Sequence, residues 1–306
     1  MKKLLCLVAL YFGKLPENLP FFLKTCEANP EYNWLLFTDD RTEYHYPANV
    51  EVKYCTFAEI KKRIQALFDF DVSLEYPKRL CSFKPAYGYI FEKELRNYEY
   101  WGYCDIDQVF GRMDYYIPAE KIREYDKLYC LGHLTIYRNN KEINSIFKNK
   151  SANPGLKVVS YEEIFKGLDV AFDEWSEESV TVNTLFEEAG LKVYYAYDYC
   201  DIGPFVSSYI ESIFDLEIRN WKVSGDSGFV FVYKGGHLYK VFFDKKSKSY
   251  RYVEAFYVHL QKRRFSIEFE PSADCFIIYN NMMRSFSKAE ERAILKKAFR
   301  AVRIRS

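Results

Sequence analysis

The stretch WGYCDIDQVFG, Trp101–Gly111, places Asp105 and Asp107 at the end of an aromatic and apolar run. Residues i and i+2 of an extended chain point the same way, so the two carboxylates are expected to converge just beyond a buried strand. A carboxylate in such a place is costly unless a positive group meets it. The stretch therefore predicts a strand end that holds a cation.

The chain before this stretch alternates between strand and helix patterns. Apolar runs predict strands at 4–10, 33–40 and 100–104, and helical spacing predicts helices at 16–27, 56–68 and 85–95. This order indicates an α/β fold with a mainly parallel sheet, in which ligands lie beyond the carboxyl ends of the strands. Three such ends are expected to meet: Tyr11-Phe12-Gly13, Thr38-Asp39-Asp40 and Asp105-Ile106-Asp107.

The remainder of the chain has a different pattern. Short strands are predicted at 127–131 and 134–138, helices at 142–148, 161–165 and 177–189, and further strands at 229–243 and 249–257. A basic amphipathic helix is predicted at 287–304. We find no internal repeat, linker or clean boundary, and therefore expect a single domain over residues 1–306.

Composition excludes several classes of protein. A hydrophobic content of 49% supports a full core, and a formal net charge of +1 argues against a general nucleic-acid binder. The eight cysteines are scattered singly, which is typical of a reduced cytoplasmic protein rather than a disulfide framework. The N-terminal MKKLLCLVALYFGKLP resembles a signal peptide but has no small-residue cleavage site, so it is interpreted as a first strand. No apolar stretch reaches the roughly 18 residues of a membrane span.

The acidic pair itself favours a hard divalent cation. Two close carboxylates repel each other unless one is protonated or a cation lies between them, and oxygen ligands suit Mn²⁺ or Mg²⁺. A D-x-D alone is a common pattern. The alternative is a turn whose acids cap a helix near Arg112–Tyr116.

Six motifs carry a resemblance to a known family: YFGKLP (11–16), WLLFTDD (34–40), KPAYGYIF (84–91), CDIDQVFG (104–111), GHLTIYRN (132–139) and HLQKR (259–263). In this order they resemble a bacterial family of putative glycosyltransferases associated with surface-polysaccharide synthesis. The wider resemblance is to GT-A-fold enzymes, whose D-x-D holds the metal that grips a nucleotide-sugar diphosphate.

The resemblance implies a GT-A (Rossmann-like) nucleotide-diphospho-sugar transferase fold, with a C-terminal β-rich elaboration and a terminal helix. Residues 1–125 would form the nucleotide-binding half, 126–265 the half that completes the acceptor and metal contacts, and 266–306 the terminal strands and helix. The implied activity is a metal-dependent hexosyl transfer from a nucleotide sugar, with a UDP-sugar favoured, to a glycan or lipid-linked acceptor.

The resemblance also assigns the metal and phosphate ligands. It implies that His259 completes the metal site with Asp105 and Asp107, and that Lys262 contacts phosphate. A glycine that often separates the histidine from the lysine in the glycogenin-like branch is absent here, and a structural histidine is the alternative for His259. Lys84, at the start of the 85–95 helix, is expected near the diphosphate, with a solvated lysine as the alternative.

The remaining binding residues follow the same resemblance. Positions that hold the nucleotide correspond to Tyr11, Phe12, Gly13, Asp39 and Asp40, and the GHLT motif adds His133. The alternative for Asp39 and Asp40 is that they cap a turn.

Two further acids are candidates for catalysis. In GT-A enzymes an acid near Asp173 and Glu174 binds the donor sugar or acceptor, or acts as base. The alternative is that these acids cap a helix led by Ser176.

Other functions remain open on the sequence. A haloacid-dehalogenase-type phosphatase also has D-x-D after an apolar strand, but usually near the start of the chain. A binding module that keeps the fold without turnover is the other alternative. The basic helix from Lys288 to Arg305 is expected to pack through Ile294, Leu295, Phe299 and Val302, with peripheral contact to anionic lipid at the inner membrane face as its alternative.

Overall fold

The computed structural model describes residues 2–153, 155–157, 159–174, 176–195, 199–201, 209–215, 220–226, 229–261, 264–279 and 281–303. The chain divides into two compact units. The first unit comprises Met1–Leu15, Glu31–Asp105 and Ala119–Ala196, and the second comprises Pro16–Pro30, Ile106–Pro118 and Tyr197–Ser306.

The strands in chain order are β1 (Lys3–Tyr11), β2 (Tyr32–Thr38), β3 (Val50–Tyr54), β4 (Tyr98–Cys104), β5 (Gln108–Phe110), β6 (Lys127–Leu131), β7 (Leu134–Arg138), β8 (Val193–Tyr194), β9 (Tyr199–Asp201), β10 (Tyr209–Asp215), β11 (Asn220–Asp226), β12 (Phe229–Lys234), β13 (His237–Asp244), β14 (Ser249–Ala255), β15 (Tyr257–His259), β16 (Ser266–Glu268), β17 (Cys275–Tyr279) and β18 (Met282–Phe286).

The α-helices are α1 (Leu19–Glu27), α2 (Phe57–Gln65), α3 (Tyr87–Ile90), α4 (Glu92–Leu95), α5 (Met113–Tyr116), α6 (Ala119–Glu124), α7 (Lys141–Ser145), α8 (Tyr161–Phe165), α9 (Val182–Glu188) and α10 (Glu291–Arg303). The described residues also form 3-10 helices at Pro77–Ala86, Ile146–Lys148 and Lys288–Glu290.

A seven-stranded mixed sheet forms the centre of the first unit, in the order β3-β2-β1-β4-β7-β6-β8. Strands β1 to β4 are parallel to one another, and β7 is antiparallel to β4. The middle of β1 is buried, as expected for a strand whose two faces are both covered. The predicted α/β class is confirmed, and the sheet, which was expected to be mainly parallel, is mixed.

The first unit differs from the sequence expectation in two helices and one strand. The predicted helix at 85–95 is interrupted: Pro85 lies inside a 3-10 helix, and Phe91 separates α3 from α4 with a non-helical backbone. The helix predicted at 177–189 begins only at Val182. Strand β3 was not predicted, because Glu51 and Lys53 interrupt its apolar pattern. By contrast, α2 begins at a capping box between Thr56 and Glu59, as its position suggested.

Aromatic side chains fill much of the first unit's core. Phe83 stacks on Phe165 with ring centroids 4.1 Å apart. Trp101 stacks on Tyr137 at 4.5 Å. These rings fix the 3-10 helix that carries Lys84 and strand β4, which ends directly before Asp105.

The second unit contains a six-stranded sheet of order β14-β13-β12-β17-β18-β16 and a five-stranded sheet of order β11-β10-β9-β15-β5. Helix α10 buries Ile294, Leu295 and Phe299 in a cluster with Val230 and Ile277. The predicted packing of the C-terminal helix is thus confirmed for these three residues, while the side chain of Val302 lies outside the described residues.

No helix in the described part of the chain is both long and apolar enough to cross a membrane.

Candidate functional site

The carboxyl ends of four parallel strands lie at one edge of the first unit's sheet. The register pairs Tyr11 with Thr38, Thr38 with Tyr54, and Val8 with Tyr103. The chain runs outward from β1 to β2 and β3 and then returns to the other side of β1 as β4. Open α/β sheets bind ligands in a crevice at such a reversal, which in this sheet falls between the ends of β1 and β4.

Asp39 and Asp40 shape the loop that follows β1. The backbone N–H of Gly13 donates to Asp39 Oδ1 at 2.7 Å, and that of Leu15 donates to Asp40 Oδ2 at 2.8 Å. Hydrogen bonds from the Thr42 side chain and the backbone of Leu15 lower the pKa of Asp40. Gly13 has a φ of 95°, a conformation that favours glycine. The capping alternative is therefore observed for both acids.

The other two residues of this loop lie at its base. Tyr11 and Phe12 are half-buried. The Phe12 ring contacts Phe57 of α2 at a centroid distance of 5.7 Å. This contact holds the start of the loop against helix α2.

Lys84 is the buried cation that meets Asp105. Its Nζ donates to Asp105 Oδ1 at 2.8 Å and to the carbonyl oxygen of Gly132 at 2.6 Å. The Lys84 side chain is 9% exposed and that of Asp105 37%. Burial alone lowers the pKa of Lys84, but nearby Asp105, Cys81 and Asp173 outweigh burial and place this pKa well above its ordinary range. The solvated alternative for Lys84 is wrong.

Asp107 and His259 are brought together by the pairing of β5 with β15. These strands are antiparallel, with His259 opposite Gln108, and the Leu260 N–H donates to the carbonyl of Asp107 at 2.8 Å. The His259 Nε2 lies 3.5 Å from Asp107 Oδ1. Both side chains are largely buried, at 12% and 27% exposed.

The three predicted metal ligands form one cluster. One ligand atom from each of Asp105, Asp107 and His259 lies within 4.8 Å of the others. Two carboxylates and an imidazole are donors that suit Mn²⁺ and are acceptable to Mg²⁺. The donor set therefore fits a divalent cation.

A second pair of acids lies over the β6–β7 turn. A Cβ on Gly132 would come within 2.7 Å of Asp173 Oδ2 and 2.8 Å of Glu174 Oε1, so a larger residue at this position would displace both carboxylates. Asp173 is buried, and Glu174 is exposed. Burial raises the pKa of Asp173 to about 7, the nearby Lys84 opposes this rise, and Glu174 adds to it.

The alternative for Asp173 and Glu174, that they cap a helix led by Ser176, is wrong. Ser176 accepts from the N–H groups of Glu178 and Ser179, but no helix begins there, and α9 begins only after Thr181, whose N–H donates to Thr184 Oγ1 at 3.2 Å. Asp173 and Glu174 therefore do not cap a helix led by Ser176.

His133 follows Gly132 in the same turn. It is 7% exposed, and its carbonyl accepts from the Asp105 N–H at 3.0 Å. Lys262 lies outside the described residues. Sequence reasoning missed Gly132, whose carbonyl oxygen accepts from Lys84 and whose Cα lies next to the carboxylates of Asp173 and Glu174. The sequence feature that could have drawn attention to Gly132 is its place between the strands predicted at 127–131 and 134–138.

The first unit is thus an α/β structure that gathers Lys84, Asp105, His133 and Asp173 at the carboxyl edge of its sheet. Among known proteins, residues 7–287 match the model of the Family of unknown function (DUF6625), and the chain belongs to this family. The matched residues include every site residue from Tyr11 to His259. No curated protein matches the chain.

Proposed function

We propose that this protein is a metal-dependent glycosyltransferase of the GT-A type, which moves a sugar from a nucleotide-diphosphate sugar to a glycan or lipid-linked acceptor. The observation that carries this proposal is the cluster of Asp105, Asp107 and His259 at the end of a parallel strand. The sequence motifs, the strand order of the sheet and the acidic pair beyond Gly132 support it.

The donor is expected in the crevice beyond β1 and β4. A divalent cation held by Asp105, Asp107 and His259 would bind the diphosphate and stabilise the charge of the leaving group. The loop Tyr11–Gly13, fixed by Asp39 and Asp40, would receive the nucleoside. Because Asp39 and Asp40 accept hydrogen bonds from the backbone of this loop, we assign them to positioning the loop rather than to a direct hydrogen bond to the base. A UDP-sugar remains the favoured donor.

The acceptor side of the reaction needs a proton acceptor. During transfer the bond from the anomeric carbon to the diphosphate oxygen breaks, a bond to the acceptor oxygen forms, and the acceptor hydroxyl loses its proton. Asp173 and Glu174 are a buried and an exposed carboxyl side by side, an arrangement that gives paired acids different proton affinities. We assign the sugar contacts and the proton transfer to this pair.

We also propose a cytoplasmic location, with the acceptor taken from surface-polysaccharide synthesis. The apolar face of α10 packs in the second unit, so contact with an anionic lipid surface would use its exposed basic residues alone. These include Lys296, Lys297 and Arg300.

The test is calorimetric titration of UDP and GDP with and without Mn²⁺. Wild type should bind one nucleotide only with the metal, and Asp107→Asn should lose that binding, because the amide is a much weaker metal ligand. Asp71→Asn, the same change at an exposed position, is the matched control. Equal binding by wild type and Asp107→Asn would refute the proposal.

Hydrolysis assays separate the alternatives. A transferase should slowly hydrolyse the UDP-sugar when Mn²⁺ is present, a phosphatase should cleave simple phosphate esters, and a binding module should do neither.

A further inference from the structure

We infer that Lys84 is a positioning residue that couples the binding of a divalent cation at Asp105 to the binding of a diphosphate. This inference rests on the proposed function. It assigns Lys84 to a different task from the direct phosphate contact expected from the sequence. The geometry behind it lies entirely in the first unit.

The ammonium group of Lys84 donates to two acceptors, a carboxylate and a backbone carbonyl, and the side chain is buried around it. It donates to Asp105 Oδ1 and to the Gly132 carbonyl, and it lies 5.4 Å from the centre of the Tyr103 ring. On either side of Lys84 in the 3-10 helix, Phe83 and Pro85 are buried. A surface lysine could swing into solvent when a cation arrives, whereas this one is held in place.

The fixed positive charge of Lys84 beside Asp105 opposes the binding of a second positive charge, such as a metal ion, at the same carboxylate. A metal ion bound to the Asp105 carboxylate would lie a few ångströms from Lys84 Nζ, and repulsion at that distance is strong where water is scarce. Free metal should consequently bind weakly. A diphosphate brings negative charge to the same place and offsets both cations.

Metal and diphosphate should therefore bind with positive coupling, and the coupling must be reciprocal. Each should raise the affinity for the other by about 10-fold or more, the range of ordinary coupling energies. The Lys84 charge disfavours loading by metal alone, and the site fills when both ligands are present.

The experiment measures Mn²⁺ binding directly, from the electron paramagnetic resonance signal of free Mn²⁺, with and without UDP. Lys84→Met removes the charge and keeps a similar volume, and Lys84→Arg keeps the charge as the matched control. Circular dichroism and thermal melting show whether each variant is folded.

We expect Lys84→Met to bind Mn²⁺ alone about 10-fold more tightly than wild type, and the effect of UDP on Mn²⁺ affinity to shrink in this variant. Lys84→Arg should behave as wild type does. Unchanged or weaker Mn²⁺ binding by a folded Lys84→Met would overturn the inference while leaving the metal site standing.

Two other outcomes are decisive. If Lys84→Met does not fold, Lys84→Gln replaces it, and the wild-type titration still tests the coupling, since equal Mn²⁺ affinity with and without UDP overturns it. If wild type and Lys84→Met both fail to bind Mn²⁺ with UDP present, the proposed function fails and the inference fails with it.

Discussion

Replacing Asp173 by asparagine should make the protein more stable at pH 8. The side chain is 6% exposed, and burial raises its pKa from the ordinary 3.8 to about 7. The folded state thus holds a proton that the unfolded chain releases near pH 4. The stability that this proton provides is complete below the unfolded pKa and is lost as the pH rises through the folded one.

The size of the effect follows from the two pKa values. At about 1.4 kcal/mol per pKa unit, the ionised carboxyl costs the folded state about 4 kcal/mol at pH 8, with about 3 kcal/mol of this loss falling between pH 5 and 8. Asparagine has nearly the same shape and does not ionise. The difference in unfolding free energy, variant minus wild type, should therefore grow by about 3 kcal/mol over that interval.

Urea denaturation at pH 5, 6, 7 and 8 measures this difference, and titrations that are common to both proteins cancel. Glu177→Gln, at an exposed position, is the control and should give a difference that does not change with pH. A variant that is less stable at pH 8, or a difference that is flat between pH 5 and 8, would refute the reasoning. The expected result would identify a carboxyl retained at a cost in stability, as is common at functional sites.

Three further changes test the fold. Burial lowers the pKa of Lys127 from 10.5 to about 8, so wild type should gain up to about 3 kcal/mol of stability as pH rises through that interval, and Lys127→Met should lack this gain in denaturation curves. Gly88→Ala should cost about 3 kcal/mol, measured at pH 7, because the new Cβ would lie 2.3 Å from the buried Trp101 ring. Thr56→Ala should cost about 1 kcal/mol by the same assay, because it removes the capping box of α2.

The sequence predicted strands β4, β6 and β7 of the first unit well, because their apolar runs carry few charges. Strand β4 ends at Cys104, directly before Asp105, where the pattern placed it. Strands β6 and β7 also begin and end at the predicted residues. Strand β3 escaped because its alternating charges resemble a loop.

Contacts between distant parts of the chain were harder to predict. Spacing suggested that Lys84 begins a regular helix, yet it lies in a 3-10 segment that directs its ammonium group to Asp105. The sequence leaves two alternatives open for Asp39 and Asp40, because periodicity does not tell which backbone N–H a carboxylate meets. The clustering of His259 with the acidic pair was expected from the resemblance to known enzymes, whereas spacing alone gave no sign of it.

The pairing of β5 with β15 has a consequence for how the protein is made. Gln108–Phe110 leaves the ribosome long before Tyr257–His259, with nearly half of the chain between them. The parallel strands β1 to β4 pair with one another within the first 104 residues and can assemble early during synthesis, whereas Asp107 meets His259 only after most of the polypeptide has been made. A chain truncated before residue 257 would therefore retain these strands but lack the imidazole of His259, so the cluster of Asp105, Asp107 and His259 is completed late in biosynthesis.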